Sequence, residues 1–346
     1  MYFLLVIIII FFHQKLFSQP LQLRKKKENT YVLIICAILV FLAAFRSDEV
    51  GADTEGYRLQ YLNMGVYTSF QDLVDRFTYY YLGYYIPCKF FSQLGLPVQV
   101  WFGFIEAIYL YSMVRLINKF SEDKIFSLMV YVTIGLFGFS MAGLKQTFAM
   151  ALMMLSFLLF IEKRYLLSGL LVVLVYYTHQ SALIFLGAFP MYYFRNTKWL
   201  IPLSLVATLM VFLNGYYFME LMVDVLENEK WEGYLVHESN YTYVTFIFYT
   251  VITTLAAFNF IRYNSAEPNY AKLMLALSIM GCGLQLLAGI SPSLFRLAYL
   301  YTPFMMILLP NTVVYSKNRG NLSLIIMGCI IFYYLYGTRN LSYSFN

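Results

Sequence analysis

The sequence predicts an all-α, polytopic integral membrane bundle of about twelve transmembrane helices with partly interfacial outer segments. Three observations predict it. Only 12% of the 346 residues are charged and 61% are hydrophobic, whereas a soluble domain carries about 25% charged residues. Apolar runs long enough to approach a bilayer core of about 30 Å recur from end to end. Basic residues gather in every second loop between those runs.

Taken in order, the candidate spans are 1–17, 31–45, 98–117, 124–142, 145–161, 165–178, 181–194, 199–216, 241–261, 272–289, 295–312 and 321–337, bounded by polar or Pro/Gly breaks. The opening MYFLLVIIIIFFHQKLF has neither a basic start nor a small-residue cleavage site, so a retained first helix is expected. The linker that follows holds Lys15, Arg24, Lys25, Lys26 and Lys27, which assigns it to the cytoplasm. Alternation from there puts 16 of the 24 basic residues in cytoplasmic loops and 12 of the 18 acids on the other side. Both termini then face outward. Residues 1–346 read as a single polytopic domain, with long outer segments at 46–97 and 217–241. The aromatics and sparse charges of 46–97 suit helices lying at the outer interface.

Composition also excludes functions. The net charge of +6 comes from the cytoplasmic loops and gives no reason to expect nucleic acid as a partner. Cys36, Cys88, Cys282 and Cys329 are isolated, without CxxC or metal spacing, and read as small hydrophobes. No GxxxxGK[ST], HExxH or GxSxG is present, so ATP-driven transport and zinc proteolysis find no support.

The stretch FRSDEVGADTEGYRLQY after the second span concentrates what chemistry there is. Arg46, Asp48, Glu49, Asp53, Glu55 and Arg58 lie within thirteen residues at the mouth of a membrane span. Ionisable groups at such a place require water or function. On the alternating topology Arg46, Lys145, His179 and Arg296 face the same outer compartment, with Asp53 and Tyr57 in the outer loop. Arg46, Lys145 and Arg296 can neutralise a diphosphate, Arg with a bidentate fork and Lys as a point charge. His179 or Asp53 can accept a proton from an attacking hydroxyl. Of the two, His179 is favoured as base, because imidazole is ordinarily neutral and basic near neutral pH. Asp53 then positions Arg46 and the loop. Each residue also has a plainer use: Arg or Lys snorkels to headgroups, Asp53 caps a helix, and His179 is a bonded turn residue.

Three stretches together resemble the EpsG-like, Wzy-type family of bacterial polysaccharide polymerases. They are FRSDEVGADTEGYRLQY; GLKQTFAMALMMLSF followed by LVVLVYYTHQSALIFL; and SLFRLAYLYTPFMMILLP. The last is similar to the family's late Arg-x-x-x-Tyr helix, here with Arg296 and Tyr299 separated by two residues, and Gln146 stands in its Arg-Gln pair. Lys145 replaces the Arg usual there, a point charge instead of a fork. The resemblance implies an inner-membrane glycosyltransferase of O-antigen, capsule or exopolysaccharide synthesis, with its site facing the extracytoplasmic side and with no metal, nucleotide or other cofactor. Its substrates would be oligosaccharide repeat units on undecaprenyl diphosphate, its setting the lipid bilayer, and its partners a flippase and a chain-length regulator. A lipid-linked oligosaccharide flippase or an O-antigen ligase is the alternative, and outer-face O-acyltransfer a weaker one. A flippase would need polar groups deep in the bundle, where Glu106 is the main charged residue.

Cysteine labelling at Lys27, Asn240 and Ser316 tests the topology: Lys27 and Ser316 should be protected from an impermeant reagent and Asn240 accessible. Labelling of Lys27 from outside would overturn the scheme.

Overall fold

A computed structural model describes residues 2–17, 21–67, 69–77, 81–215, 217, 243–262, 268–289, 294–316 and 319–338. The outer segment expected at 217–241 lies outside the described residues apart from Tyr217, and so does His237. The described chain is helical and contains no strand.

Among the described residues, four helices are long and apolar enough to cross a membrane: Lys27–Ala44, Val98–Phe120, Leu144–Ile161 and Tyr270–Ala288. A fifth crossing is made if Lys124–Thr133 and Leu136–Ala142, bent by 53°, count as one. Six further apolar helices run 10–17 residues, short of the roughly 20 needed for a straight crossing. The helices therefore bear out an all-helical membrane bundle, while the count of twelve exceeds the long helices present. The physical reason is visible in the breaks. Gly135 sits at φ +92°, a left-handed backbone that a residue with a Cβ rarely adopts, and it divides the fourth apolar run into two helices. The runs at 181–194 and 295–312 likewise resolve into 3₁₀ and α segments rather than one helix each.

Many apolar side chains stay on the outside. In the helix Tyr165–Tyr176 only Ser168 and Val175 are buried, and Leu166 is 79% exposed. Phe212, in Leu200–Leu213, is 58% exposed. Helices apolar on all sides suit hydrocarbon rather than water.

The chain gathers into two compact units. The first comprises 1–119, 123–183 and 329–346. Its helices are α1 (Tyr2–Phe17), α2 (Leu21–Ala44), α3 (Thr54–Leu62), α4 (Phe70–Phe77), α5 (Leu82–Gln93), α6 (Val98–Phe120), α7 (Lys124–Thr133), α8 (Leu136–Ala142), α9 (Leu144–Ile161) and α10 (Tyr165–Tyr176). One end is tied by polar pairs. Asp123 caps α7 by accepting from the Phe126 amide at 3.0 Å and bonds His13 Nε2 at 2.9 Å. Arg115 pairs with Glu162, and Lys124 donates to Asn29 at 2.9 Å. Ser156 of α9 donates to the Ser168 carbonyl of α10 at 2.8 Å. Ser69 and Asp72 bond each other's amides at 2.8 and 3.0 Å, a capping box that starts α4.

The second unit comprises 120–122 and 184–328. It contains α11 (Ala188–Tyr193), α12 (Leu200–Leu213), α13 (Val244–Arg262), α14 (Pro268–Gln285), α15 (Phe295–Ala298), α16 (Met305–Tyr315) and α17 (Arg319–Thr338), whose last residues belong to the first unit. Its tightest contact lies between α12 and α14. A Cβ added to Gly283 would stand 2.6 Å from Thr208 Cγ2, and Thr208 Oγ1 donates to the Ile279 carbonyl at 3.3 Å. Backbone approach at such small residues is how helices associate where lipid removes the hydrophobic drive.

Gly283→Ala should therefore push α12 from α14 at a cost of about 1–3 kcal/mol, seen as a lower melting temperature in detergent. Thr208→Ala in the same chain should recover most of that loss. Additive effects in the double mutant would show that this contact is not the one responsible.

Candidate active site

The stretch that ends α2 folds back on itself around Arg46. The arginine is fully buried, 0% exposed, with its guanidinium 4.3 Å above the centre of the Phe102 ring. Its Nη1 donates to the Ala43 carbonyl and its Nε to Thr54 Oγ1 at 3.3 Å. Thr54 Oγ1 in turn donates to the Val50 carbonyl at 2.6 Å and lies 3.3 Å from the Met141 carbonyl. The loop is thus bonded both to itself and to the end of α8. Arg58 closes it from outside, pairing with Asp48 and reaching the Arg46 carbonyl at 3.5 Å. One turn beyond Phe102 on α6 lies Glu106, 2% exposed, which accepts from Tyr131 Oη at 3.0 Å.

Gly51 makes this geometry possible. Its φ is +93°, and a Cβ there would stand 2.7 Å from the Met141 carbonyl oxygen. Asp53 takes the N-cap position of α3 with its side chain exposed, and that side chain does not make the capping hydrogen bond. Tyr57 follows one turn later and faces Lys145.

Lys145, in the first turn of α9, stands within an aromatic cup. Its Nζ is 5.7, 5.1, 5.8 and 4.6 Å from the ring centres of Tyr57, Tyr81, Tyr84 and Tyr85. Ring faces carry partial negative charge, so each draws the ammonium. The cup is held from behind. Trp101 Nε1 donates to Tyr84 Oη at 3.2 Å, Tyr85 Oη donates to Gln60 Oε1 at 3.0 Å, and Phe77 stacks on Tyr85 at 3.7 Å. Burial pushes the Tyr84 and Tyr85 phenols well above their ordinary range, so both present neutral rings to the cation. Gln146, the next residue of α9, is buried.

His179 joins the same cluster through Tyr81, whose ring meets the imidazole edge-on at 6.1 Å. Its Nδ1 shares a hydrogen bond of 3.3 Å with Ser181 Oγ. When Nδ1 carries the proton and donates to Ser181, the basic lone pair is on Nε2. The turn bearing His179 is clasped against α5: the Gly83 amide donates to the Tyr177 carbonyl at 2.7 Å, and a Cβ on Gly83 would stand 2.3 Å from Thr178 Oγ1.

The first unit therefore brings Arg46, Asp53, Tyr57, Lys145, Gln146 and His179 into one connected neighbourhood. It lies at the end of α9 and α10 opposite the Arg115–Glu162 pair. Arg296 and Tyr299 belong to the second unit, in and just after the short helix α15, where Tyr299 meets Phe295 edge-on at 5.6 Å. Tyr301 Oη donates to the Ile184 carbonyl at 3.0 Å in the same unit. Sequence reasoning missed Tyr81, Tyr84 and Tyr85. The signal was available, since positions 81, 84 and 85 have the spacing that shares one helical face. Among the described residues no group of three or more His, Cys, Asp or Glu side chains could hold a metal ion.

Comparison with known proteins decides the family. The EpsG family model matches residues 29–345, nearly the whole chain and every residue named above as part of the site. The chain belongs to the EpsG family. No curated protein and no solved structure matches it. In this EpsG-family protein the matched region begins inside α2, just ahead of the Arg46 loop.

Gly51→Ala should cost about 1–2 kcal/mol from the left-handed backbone alone, with the clash against Met141 added. Thermal melting in detergent is the check. Gly56→Ala is the control, because a Cβ there meets nothing within 4 Å. Equal melting temperatures for the two variants would dismiss the loop as an anchor.

Proposed function

We propose that this membrane protein is a polysaccharide polymerase. It transfers a growing glycan from a polyprenyl diphosphate, undecaprenyl diphosphate in bacteria, onto a new lipid-linked repeat unit. The reaction takes place on the extracytoplasmic face of the cytoplasmic membrane, at the outer end of a twelve-crossing bundle. The observation that carries this reading is the Lys145 ammonium in its tyrosine cup with His179 beside the same Tyr81 ring. Membership of the EpsG family supports it.

The transfer balances as follows. An acceptor hydroxyl forms a bond to the anomeric carbon of the growing chain while the bond from that carbon to the diphosphate oxygen breaks. The electron pair leaves with the diphosphate, and the hydroxyl proton passes to His179 Nε2. Lys145 meets the charge developing on the leaving group, and Arg296 keeps the phosphate-binding role for which its guanidinium fork suits it. Electrostatic stabilisation of this kind commonly contributes more to the rate than any other single effect. Arg46 is buried, so its assignment shifts from direct diphosphate contact to holding the 46–54 loop, with Asp53 at the start of α3. Neutral rings around Lys145 also offer faces on which sugar C–H groups can rest. Delivery of units by a flippase and length control by a regulator protein complete the pathway that the reading requires.

Deletion of the gene followed by glycan analysis tests the function. Single repeat units left on the carrier are expected. Unligated long chains would point instead to an O-antigen ligase, and lipid-linked units trapped inside to a flippase. In complementation, Lys145→Ala should lower the polymerisation rate roughly ten- to a hundredfold, the equivalent of one charge-assisted contact made in the transition state. Lys145→Arg should retain activity. Wild-type polymer from both Lys145→Ala and His179→Gln would end the assignment of roles.

A further inference from the structure

An apolar groove of about 830 Å³ runs along the first unit between α2 and α6. Its volume lies in the upper part of the 300–1,000 Å³ common to ligand pockets. The small residues Ala37 and Ala107 make it deep, and Leu33, Phe41, Leu110 and Tyr111 form its walls. At one end Ala44 and Phe45 line it. That end abuts Arg46 and the loop that leads into α3, from which Tyr57 reaches the Lys145 cup. At the other end it closes on Asn29, Asn118 and Lys124, the lysine bonded to Asn29 at 2.9 Å. The two helices touch at the upper end, where a Cβ on Gly103 would meet Ala44 at 3.2 Å, so the groove has a floor there.

From Asn29 to Phe45 the α2 backbone climbs sixteen residues, or about 24 Å at 1.5 Å per residue. A hydrocarbon core is about 30 Å thick, so the groove passes from one leaflet into the other. An acyl chain of a phospholipid belongs to a single leaflet and fills only half of it. A linear isoprenoid chain long enough to enter both leaflets fills the whole length, with its diphosphate end beside Phe45.

We infer that this groove holds the polyisoprenoid tail of the lipid-linked glycan and delivers its head to the Lys145 and His179 neighbourhood. This rests on the polymerase reading for the identity of the head group, while the groove itself stands on α2 and α6. Continuity with the candidate site selects the occupant: the groove's apolar end meets the loop that builds that site. Leu33 and Phe41 are 69% and 52% exposed along the groove, apolar surface that a tail would cover.

The test uses full-length protein in nanodiscs and two photoreactive probes: a polyprenyl diphosphate with a diazirine in its tail, and a phosphatidylglycerol with one in an acyl chain. Cross-links at Ala37, Phe41, Ala107 or Tyr111 that unlabelled polyprenyl diphosphate displaces, and phosphatidylglycerol does not, are expected. Equal labelling by both probes, displaced by neither, would reduce the groove to bulk lipid contact and overturn the inference. A disulfide dimer of Ala107→Cys would place a second copy there and overturn it equally. The activity arm compares long- and short-tailed donors. Ala107→Trp should raise KM for the long-tailed donor about tenfold, the equivalent of roughly two methylenes lost from burial, and leave the short-tailed donor unchanged. If wild type polymerises and Ala107→Trp is indifferent to tail length, the groove assignment fails alone. If wild type cross-links in the groove yet forms no polymer, the polymerase reading fails and the groove stands.

Discussion

The burial of Arg46 is the constraint on which the outer end of the first unit depends. A guanidinium deep in an apolar bundle is costly unless its donors are satisfied and its charge is answered nearby. Here the Ala43 carbonyl, Thr54 hydroxyl and Phe102 ring close around it. Satisfying the arginine requires Thr54 to be turned back over the end of α2, and only the left-handed Gly51 allows so tight a reversal. The same Thr54 hydroxyl lies beside the Met141 carbonyl, which ties the loop to α8. Thr54 is also the first residue of α3. Its position therefore sets where α3 starts, and so where Tyr57 stands over Lys145. A charge that never meets solvent organises the residues that do.

The Lys145 cup illustrates a different balance. An ammonium in water is strongly hydrated, and removing that water is unfavourable. Four ring faces and a half-buried position offset part of the loss. Two of the rings are held in turn, Tyr84 by Trp101 and Tyr85 by Gln60 and Phe77. Arginine would stack on the same faces, which makes the lysine at this position a change of hydrogen-bond geometry more than of electrostatics.

The opposite end of the first unit is held by another chemistry. Asp123 caps α7 and takes His13, Arg115 meets Glu162, and Lys124 meets Asn29. These are short-range polar ties among basic loop residues, suited to wet headgroups. Between the two ends the helices are apolar on nearly every side. Glu106 with Tyr131 is the buried acid between them. Polar chemistry at the ends with apolar helices between them matches the polarity profile of a bilayer.

Much of this was legible in the sequence, because a bilayer imposes length and polarity on a chain before any packing is chosen. Each apolar run fell on helical segments, whole or broken, wherever the chain is described, and the family was readable from three short motifs. Arg46, Lys145 and His179 could be put at one end from loop charge alone, and their contacts through Met141 and Tyr81 are consistent with that. What sequence could not decide was which ionisable residue faces inward. Periodicity does not distinguish an arginine snorkelling to headgroups from one folded beneath its own loop, since the difference lies in a glycine torsion and in a carbonyl eighty-seven residues from Thr54. Nor could it choose among 33 tyrosines the four around Lys145, because the cup is made by three separate helices meeting. Hydrophobicity is a property of each residue and survives in the one-dimensional string. A contact is a property of pairs, and only the folded chain brings the partners together.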